Sequence, residues 1–267
     1  MLAATAVAAG ARVAEAAAPR IVSLIPSLTE DLFAIGAGAQ VVGTSQFTDY
    51  PLAAARLPQV ASFAAIDAEK IVGLHPDVVV GIPAQATQAA DLRRAGLRVV
   101  LMNDDGYDDI FADLRTLGAL SGHVREASAL EARLRARTAQ LVRAIPPGRP
   151  PRVFVVLQVT PIYTVGERSY IARLIALAGG RNAAVDLPAA YGRYSAEALV
   201  ALQPDVIVAD HASGVSAVLD QSPWSSLRAV RAKRVYVIDD TDLLERPGPR
   251  YVEGLTWLIG RLHESHR

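Results

Sequence analysis

Two stretches of the sequence repeat each other: residues 68–80 read AEKIVGLHPDVVV, and residues 196–208 read AEALVALQPDVIV. Each copy is a run of helix-forming residues, then a Pro-Asp turn, then three β-branched residues. Because proline ends a helix and a continuous β-branched run is typical of a buried strand, each copy predicts a short helix and a core strand. Asp67 and Ser195 directly precede the copies and suit helix N-caps. The repeat therefore predicts two similar α/β lobes.

A weaker pair of segments extends the repeat towards the start of each lobe. Residues 27–38 and 169–180 both read as helices ending in closely spaced glycines, which suit a left-handed cap. Strands are predicted at 21–25, 41–44, 98–102, 152–157 and 234–238. Since strands alternate with helices, we expect mostly parallel sheets with a cleft lined by loops at the carboxyl ends of the strands.

A long helix is predicted between the lobes. Residues 122–145 are rich in helix formers and carry an apolar stripe of Leu130, Leu134 and Leu141, and Pro146 ends the segment. At about 1.5 Å per residue the helix would span roughly 35 Å. Such a rigid linker predicts modest lobe closure. The expected organisation is a signal-like segment at 1–18, an N-terminal α/β lobe at 19–121, a connecting helix at 122–146 and a C-terminal α/β lobe at 147–267.

The first 18 residues are nearly all alanine and other small residues, and they end in A-x-A-like steps before Pro19. This pattern resembles the core and cleavage region of a secretory signal, although a basic start is missing. A periplasmic location is therefore expected. The alternative is an alanine-rich tail without a targeting role.

Composition excludes several classes of function. The chain has 27 basic and 27 acidic residues and no basic stripe, which disfavours nucleic acid and anionic membranes as partners. It has no cysteine, so disulfides and thiolate metal sites are excluded, and its five histidines form no local pair that predicts a metal centre. Neither GxxxxGK[ST] nor GxSxG occurs, and we predict no catalytic residue.

Candidate ligand-binding residues follow the predicted strands of both lobes. They are Phe47, Asp49, Tyr50, Phe63, Tyr163, Tyr191, Tyr194, Asp242, Glu245 and Arg246. Aromatic side chains in such loops suit stacking on a large flat ligand, and ordinary loop packing is the alternative.

Glu69 and Glu197 occupy equivalent positions in the first turn of the two repeat helices. A carboxylate there complements the helix dipole by about 0.3–1 kcal/mol, which is a sufficient structural reason for it. The functional alternative is that each lobe presents one glutamate to arginine pockets of a two-fold symmetric partner.

Seven segments in order resemble a known family: RIVSLIPSLTEDLFAIGAG, GTSQFTDYP, LPQVASF, AEKIVGLHPDVVV, YTVGERSYIARLIALAGG, SAEALVALQPDVIV and LLERPGPR. The chain resembles the periplasmic substrate-binding proteins of ABC importers of the helical-backbone class, which serve cobalamin, heme and ferric-siderophore importers. Its resemblance to the corrinoid-carrying members is strongest. The resemblance implies a monomer without a cofactor of its own that delivers a corrinoid to a permease dimer. A ferric siderophore or heme is the alternative ligand, and a cleft enzyme acting on a tetrapyrrole is a remote alternative.

The resemblance also implies residue roles. By position it assigns ligand contacts to Phe47, Phe63, Ile82, Tyr163, Tyr191, Asp242 and Arg246, with Tyr50 as a further candidate, and permease docking to Glu69 and Glu197. Ile82, Phe63 and Tyr191 stand where tryptophans are expected, which implies a less bulky pocket. Phe63 also falls near a tyrosine iron ligand of the heme-binding members, and phenylalanine cannot ligate iron.

Overall fold

The computed structural model describes residues 17–62, 65–103 and 106–264. Its first part runs β1 (Ile21–Ser23), α1 (Pro26–Ala34), β2 (Val41–Ser45), β3 (Gln59–Ala61), α2 (Ala68–Gly73), β4 (Val78–Gly81), α3 (Ala86–Arg94), β5 (Val99–Leu101), α4 (Asp109–Ser121) and α5 (Val124–Arg143). The strands form one parallel sheet in the order β3-β2-β1-β4-β5. The central strands β1 and β4 are buried throughout, as their apolar sequences require.

The second part forms a separate lobe. It runs β6 (Arg152–Val156), β7 (Gln158–Val159), β8 (Ile162–Val165), α6 (Tyr170–Leu177), β9 (Arg181–Asn182), β10 (Tyr191–Arg193), α7 (Ala196–Leu202), β11 (Val206–Asp210), α8 (Arg228–Arg231), β12 (Val235–Ile238), α9 (Asp242–Glu245) and α10 (Tyr251–Leu262). A parallel sheet has the order β12-β11-β6-β9. The predicted pair of α/β lobes with mostly parallel sheets is therefore confirmed.

The repeat is visible in the helix caps. The Asp67 carboxylate accepts a hydrogen bond from the Lys70 amide at 2.9 Å, and the Ser195 hydroxyl accepts one from the Ala198 amide at 3.0 Å. Both caps lie where the repeat predicts them, so α2 and α7 begin in the same way in the two lobes.

A small antiparallel sheet, in the order β10-β8-β7, breaks the symmetry of the lobes. The sequence prediction was wrong here, because it placed Tyr163 and Tyr191 in loops and the structure places them on β8 and β10. These strands are only two to four residues long, Pro161 directly precedes β8 and Gly192 lies within β10, so their sequences look like turns.

Helix α5 joins the lobes, and its Leu130 and Leu134 are buried. They belong to one apolar cluster that also contains Val80 of β4, Val155 of β6 and Leu258 of α10. Because this core is continuous between the sheets, a large closing motion would separate packed apolar side chains. Modest lobe closure remains a prediction with this physical basis.

Two sequence predictions fall outside the described residues. Residues 1–16 carry most of the signal-like segment, and Phe63 is a candidate ligand contact. In the part of the chain that the structure describes, no helix is both long enough and apolar enough to cross a membrane. The lobe boundaries predicted at 121 and 146 lie close to the ends of α4 and α5 and remain predictions.

Candidate functional site

The carboxyl ends of the strands of the N-terminal sheet surround a cavity of about 350 Å³, here called the neutral cavity. It lies beside β1, whose neighbours β2 and β4 take the chain in opposite directions across the sheet. In open parallel sheets ligands bind at such a switch point. The lining consists of Leu24, Ile25, Pro26, Ser45, Gln46, Phe47, Ser62, Ile82, Ala84, Gln85 and Gln88, all of them uncharged.

Two of the predicted ligand contacts meet in the neutral cavity. Phe47 follows β2 with a left-handed backbone (φ of 65°), and its side chain is 68% exposed. Ile82 follows β4 and is half-buried. The two side chains come from different strand ends, so the fold brings them together as the sequence predicts.

Glutamine side chains from the start of α3 provide the polar groups of the neutral cavity. The Gln85 amide donates to the Leu24 carbonyl at 3.0 Å and accepts from the Ile82 amide at 3.1 Å, so it ties β1 to β4. A Cβ at position 81 would lie 2.6 Å from the Gln85 oxygen, which explains why Gly81 ends β4. The Gln88 amide oxygen is also buried, but it has no hydrogen-bond partner among the described residues.

A second cavity of about 410 Å³, the acidic cavity, lies where the loop after β2 meets the loop after β12. Its lining consists of Asp49, Tyr50, Asp239, Asp240, Thr241, Asp242 and Arg250. Four carboxylates therefore face one arginine in this lining. We call the lining of the neutral cavity the uncharged wall of the cleft and that of the acidic cavity its acidic wall.

Arg246 crosses from the C-terminal lobe to the N-terminal lobe. Its guanidinium donates to the Glu30 carboxylate at 3.0 Å, to Asp49 at 2.9 Å and to the Phe47 carbonyl at 2.8 Å. On its own lobe it pairs with Asp242 at 2.8 Å. The guanidinium is thus held by protein groups on both lobes, and a direct contact with ligand remains a prediction.

Arg250 also reaches from the C-terminal lobe to Glu30 in the N-terminal lobe. Its Nε and Nη2 donate to the two oxygens of Glu30 at 2.9 and 3.1 Å, and Nη1 donates to Asp240 at 3.0 Å. The Glu30 side chain is 1% exposed, so its charge is compensated by these two arginines rather than by water. We call Glu30, Arg246 and Arg250 the interlobe tie.

The sequence did not predict Glu30 or Arg250 as residues of the cleft. Glu30 lies in the helical run SLTEDLF, where the only signal is a pair of acidic residues on a helix that is otherwise mostly buried. Asp31 is the other member, and burial, reinforced by Asp113 and Glu30, raises its pKa well above the usual value. Neither oxygen of its carboxyl group has a hydrogen-bond partner among the described residues, so nothing there offsets the effect of burial on the pKa.

The pKa values of the cleft carboxylates are shifted in different directions from their usual values. Burial alone would raise the pKa of Asp49, but the hydrogen bond and charge of Arg246 outweigh it and hold that pKa below the usual value. Burial raises the pKa of Asp242 to about 6. The charge of Arg246 opposes this shift, and repulsion from Asp49 and Asp240 adds to it. Burial, with the charges of Asp210 and Asp242, raises the pKa of Glu245 to about 7.

Tyr50 lies on the side of the cleft nearest the connecting helix. The Arg250 guanidinium is 4.2 Å from the centroid of its ring, a cation–π distance. The ring also lines a further cavity of about 400 Å³ with Leu130 and Leu134 of α5. Tyr50 therefore supports the interlobe tie, and its predicted ligand contact would be made from the acidic cavity.

Tyr163 and Tyr191 lie on one face of the antiparallel sheet of the C-terminal lobe. Tyr163 is opposite Arg193, and Tyr191 is opposite the buried Val165. Tyr163 is 37% exposed and Tyr191 is half-buried, so both rings can offer an edge or face to a ligand. Whether they meet the ligand remains a prediction.

Glu69 and Glu197 lie in the first turns of α2 and α7, and both are exposed. Neither makes a hydrogen bond or ion pair within the described ranges. Their carboxylates are available to an external partner, although the helix dipole alone would also stabilise them.

The described residues contain no group of three or more His, Asp or Glu side chains placed to hold a metal ion. A model of the family described as periplasmic binding protein matches residues 21–241, which is most of the chain. The chain belongs to the periplasmic binding protein family.

Known members of the family resemble this binding protein over nearly its whole length. An uncharacterized ABC transporter substrate-binding lipoprotein of Bacillus subtilis is 30% identical, over 91% of this chain and 80% of its own. The crystal structure of the periplasmic vitamin B12 binding protein of Vibrio cholerae gives a TM-score of 0.82 at 28% identity, covering 92% of this chain and 96% of the other. A periplasmic heme-binding protein of Roseiflexus gives 0.81 at 29% identity, covering 92% and 98%.

Family membership establishes the general role. The protein is an extracytoplasmic binding protein of an ABC importer, with a small-molecule ligand and a permease as partners. It is a carrier and not an enzyme, and the family indicates no cofactor. The prediction of a binding protein that is not an enzyme is therefore confirmed.

Proposed function

We propose that this binding protein carries a corrinoid, such as cobalamin, in the interlobe cleft and delivers it to its permease in the periplasm. The observation that carries the proposal is the charge of the cleft. One wall is uncharged, and the other presents Asp49, Asp239, Asp240 and Asp242. Both arginines of the interlobe tie are already engaged by carboxylates.

Such a cleft discriminates by charge. Heme carries two ionised propionates, and ferric catecholate siderophores are anionic, so both would be repelled by the acidic wall unless arginines were available. A corrinoid has a largely neutral periphery of primary carboxamides around an apolar macrocycle. Amide N–H groups can donate to the carboxylates of the acidic wall, and the macrocycle can contact the apolar side chains of the neutral one.

The similarity to known structures does not choose the ligand, because the vitamin B12-binding and heme-binding proteins resemble the chain to the same degree. The charge of the cleft supports a corrinoid over heme. Phe47, Ile82, Phe63, Tyr163 and Tyr191 would provide the apolar contacts, Tyr50 and Asp242 would border the acidic wall, and Arg246 would hold the two lobes around the ligand.

We propose further that Glu69 and Glu197 dock the two lobes onto the permease dimer. Their equivalent positions, exposure and lack of partners within the described residues support a symmetric use. A two-fold related pair of arginine pockets would bind one carboxylate on each lobe, which fixes the cleft over the transport pathway.

Isothermal titration of the purified protein tests the ligand. We expect saturable 1:1 binding of cyanocobalamin and of dicyanocobinamide, and much weaker binding of hemin and of ferric enterobactin. At 100 times the dissociation constant, the corrinoid should add about 2.7 kcal/mol to the free energy of unfolding. Absence of both heat and thermal shift with the two corrinoids would reject the proposal, and tight binding of hemin would replace it with heme transport.

A variant pair tests the position of the site. Phe47→Ala combined with Ile82→Ala should weaken cyanocobalamin binding by more than about 10-fold, because both apolar side chains line the neutral cavity. Leu52→Ala is the control, since Leu52 is 78% exposed and lines neither wall of the cleft. Equal affinities of the double variant and the control would place the ligand elsewhere.

A further inference from the structure

The geometry points to Gln88 as the residue that recognises a primary carboxamide of the ligand, within the neutral cavity. This inference rests on the proposed corrinoid function and deepens it, because it names the chemical group of the ligand that the N-terminal lobe binds. No sequence signal had marked this glutamine.

The two glutamines of the neutral cavity differ in the hydrogen bonds of their side-chain amides. Gln85 uses both ends of its amide to join β1 and β4, through the Leu24 carbonyl and the Ile82 amide. Gln88 lies almost one turn further along α3 and lines the same cavity. Its amide oxygen is buried and has no partner among the described residues, so it is a polar group whose hydrogen bond must come from water or a ligand.

The surroundings of Gln88 select the kind of partner. The lining of the neutral cavity is uncharged, and Leu24, Ile25, Pro26 and Ile82 provide apolar walls. An ionised ligand group entering such a cavity would lose its hydration without gaining a counter-charge. A neutral primary amide fits, because it offers one donor and one acceptor side by side to the same pair on Gln88, whichever way the glutamine amide is turned.

The size of the cavity agrees with a side-chain subsite. A volume of about 350 Å³ lies near the lower end of the roughly 300–1,000 Å³ that is usual for small-molecule pockets. It accommodates one edge of a macrocycle with its amide side chain, while the rest of the ligand would extend towards the acidic wall. A site built to hydrogen-bond a ligand group rejects analogues that lack it, because its own polar groups then stay unpaired.

The test combines variants of Gln88 with corrinoids in which one peripheral carboxamide is hydrolysed to a carboxylate. Gln88→Leu should raise the dissociation constant of cyanocobalamin by about 10-fold. Thr87→Leu, at the neighbouring exposed position outside the cavity lining, should change it by less than about 2-fold. Gln88→Lys should favour one monocarboxylate isomer over cyanocobalamin, since an ammonium group binds a carboxylate. The unmodified protein should show the opposite preference.

The outcomes distinguish failure of this inference from failure of the proposed corrinoid function. If the unmodified protein binds no corrinoid, the proposed function and the inference both fall. If it binds cyanocobalamin and Gln88→Leu binds equally well, only the inference falls. The same holds if Gln88→Lys discriminates among the monocarboxylate isomers as the unmodified protein does. Thermal unfolding without ligand shows that each variant is folded.

Discussion

The two lobes share a scaffold but differ at the ends of their strands. In the N-terminal lobe the ends of β1, β2 and β4 surround an uncharged cavity. In the C-terminal lobe the loop after β12 presents Asp239, Asp240 and Asp242, and the following residues Arg246 and Arg250 reach across to the other lobe. The two halves therefore differ, since one surrounds a neutral cavity and the other presents carboxylates together with two arginines that bind the opposite lobe.

Their outer surfaces have diverged less. Both repeat helices begin with a side-chain cap and carry an exposed glutamate in the first turn. A ligand contacts each lobe differently, whereas a two-fold symmetric partner requires the same group on both. The contrast between inner and outer surfaces can be tested, and the largest expected effect is on the outer one.

Reversing both docking charges should abolish stimulation of the permease. Glu69→Lys with Glu197→Lys places two ammonium groups against the proposed arginine pockets, and each single reversal should cause a comparable partial loss. ATP hydrolysis by the reconstituted importer is the measurement, alongside ligand affinity, which should stay unchanged.

Glu126→Lys with Glu253→Lys is the matched control, since these exposed glutamates also occupy first turns of helices. Full stimulation by the Glu69/Glu197 double reversal, or equal loss in the control, would contradict the symmetric docking model. A large loss from one single reversal and none from the other would show that the outer surfaces have diverged as well.

Removing the charge of the interlobe tie should be strongly destabilising. Glu30→Gln leaves Arg246 and Arg250 partly buried without their shared anion, and we expect a loss of about 3 kcal/mol. At roughly 2–4 °C per kcal/mol for a chain of this size, the melting temperature should fall by about 6–12 °C.

Glu131→Gln provides the control, because Glu131 also binds two arginines, Arg115 and Arg135, but on the surface. Exposed pairs contribute little, so the expected loss is below about 1 kcal/mol. Equal losses from the two substitutions would mean that the tie is no more than a surface ion pair. Differential scanning calorimetry measures both.

The interlobe tie also shows which features could not be predicted from the sequence. The repeat identified α2, β4, α7 and β11 and their caps, because these features depend on residues close together in the chain. Glu30 and Arg246 are 216 positions apart, and their pairing depends on how the lobes pack. Helix α4 was also not predicted. It contains Gly118, whose Cβ position would lie 2.6 Å from that of Ala127, so the glycine is required by close packing against α5 and is not a helix end.

Within the site, the sequence allowed us to name residues that follow strands, but it did not predict the contacts between the two lobes. Phe47 and Ile82 reach one cavity because the ends of neighbouring parallel strands converge. Gln88 was not predicted, since its significance comes from the missing partner of a buried oxygen, which only packing determines. Tyr163 and Tyr191 were identified as candidates, although the short strands that hold them were not.

Neutralising the acidic wall should weaken the discrimination against anions. Asp49→Asn with Asp239→Asn removes its two most exposed charges, and we expect hemin affinity to rise by about 10-fold. Cyanocobalamin affinity should change by less than about 2-fold, because each asparagine oxygen still accepts a hydrogen bond from a carboxamide N–H. Asp91→Asn with Asp220→Asn makes the same change of net charge outside both cavity linings. An equal rise in that control at low ionic strength would attribute the effect to overall charge, and the acidic wall would lose its assigned role.

The smallest expected effect is a difference in pH dependence between Asp242 and Asp49, two of the three carboxylates that bind Arg246. The pKa of Asp242 is raised to about 6 in the folded protein, so its contribution to stability is complete below about pH 4 and is lost as the pH rises through 6. Two pKa units correspond to at most about 3 kcal/mol, and partial exposure reduces the expected loss to about 1 kcal/mol. Asp242→Asn should therefore gain stability relative to the unmodified protein between pH 4 and pH 7.

The pKa of Asp49 is lowered by the same arginine, so the sign reverses. Its contribution is complete above its usual pKa and is lost as the pH falls below that value, so Asp49→Asn should lose stability relative to the unmodified protein as the pH rises to about 4 and should change little above it. Denaturant unfolding at several pH values measures both slopes. Slopes of equal sign would mean that Arg246 compensates both carboxylates alike, and the two sides of the cleft would then be electrostatically equivalent at this position.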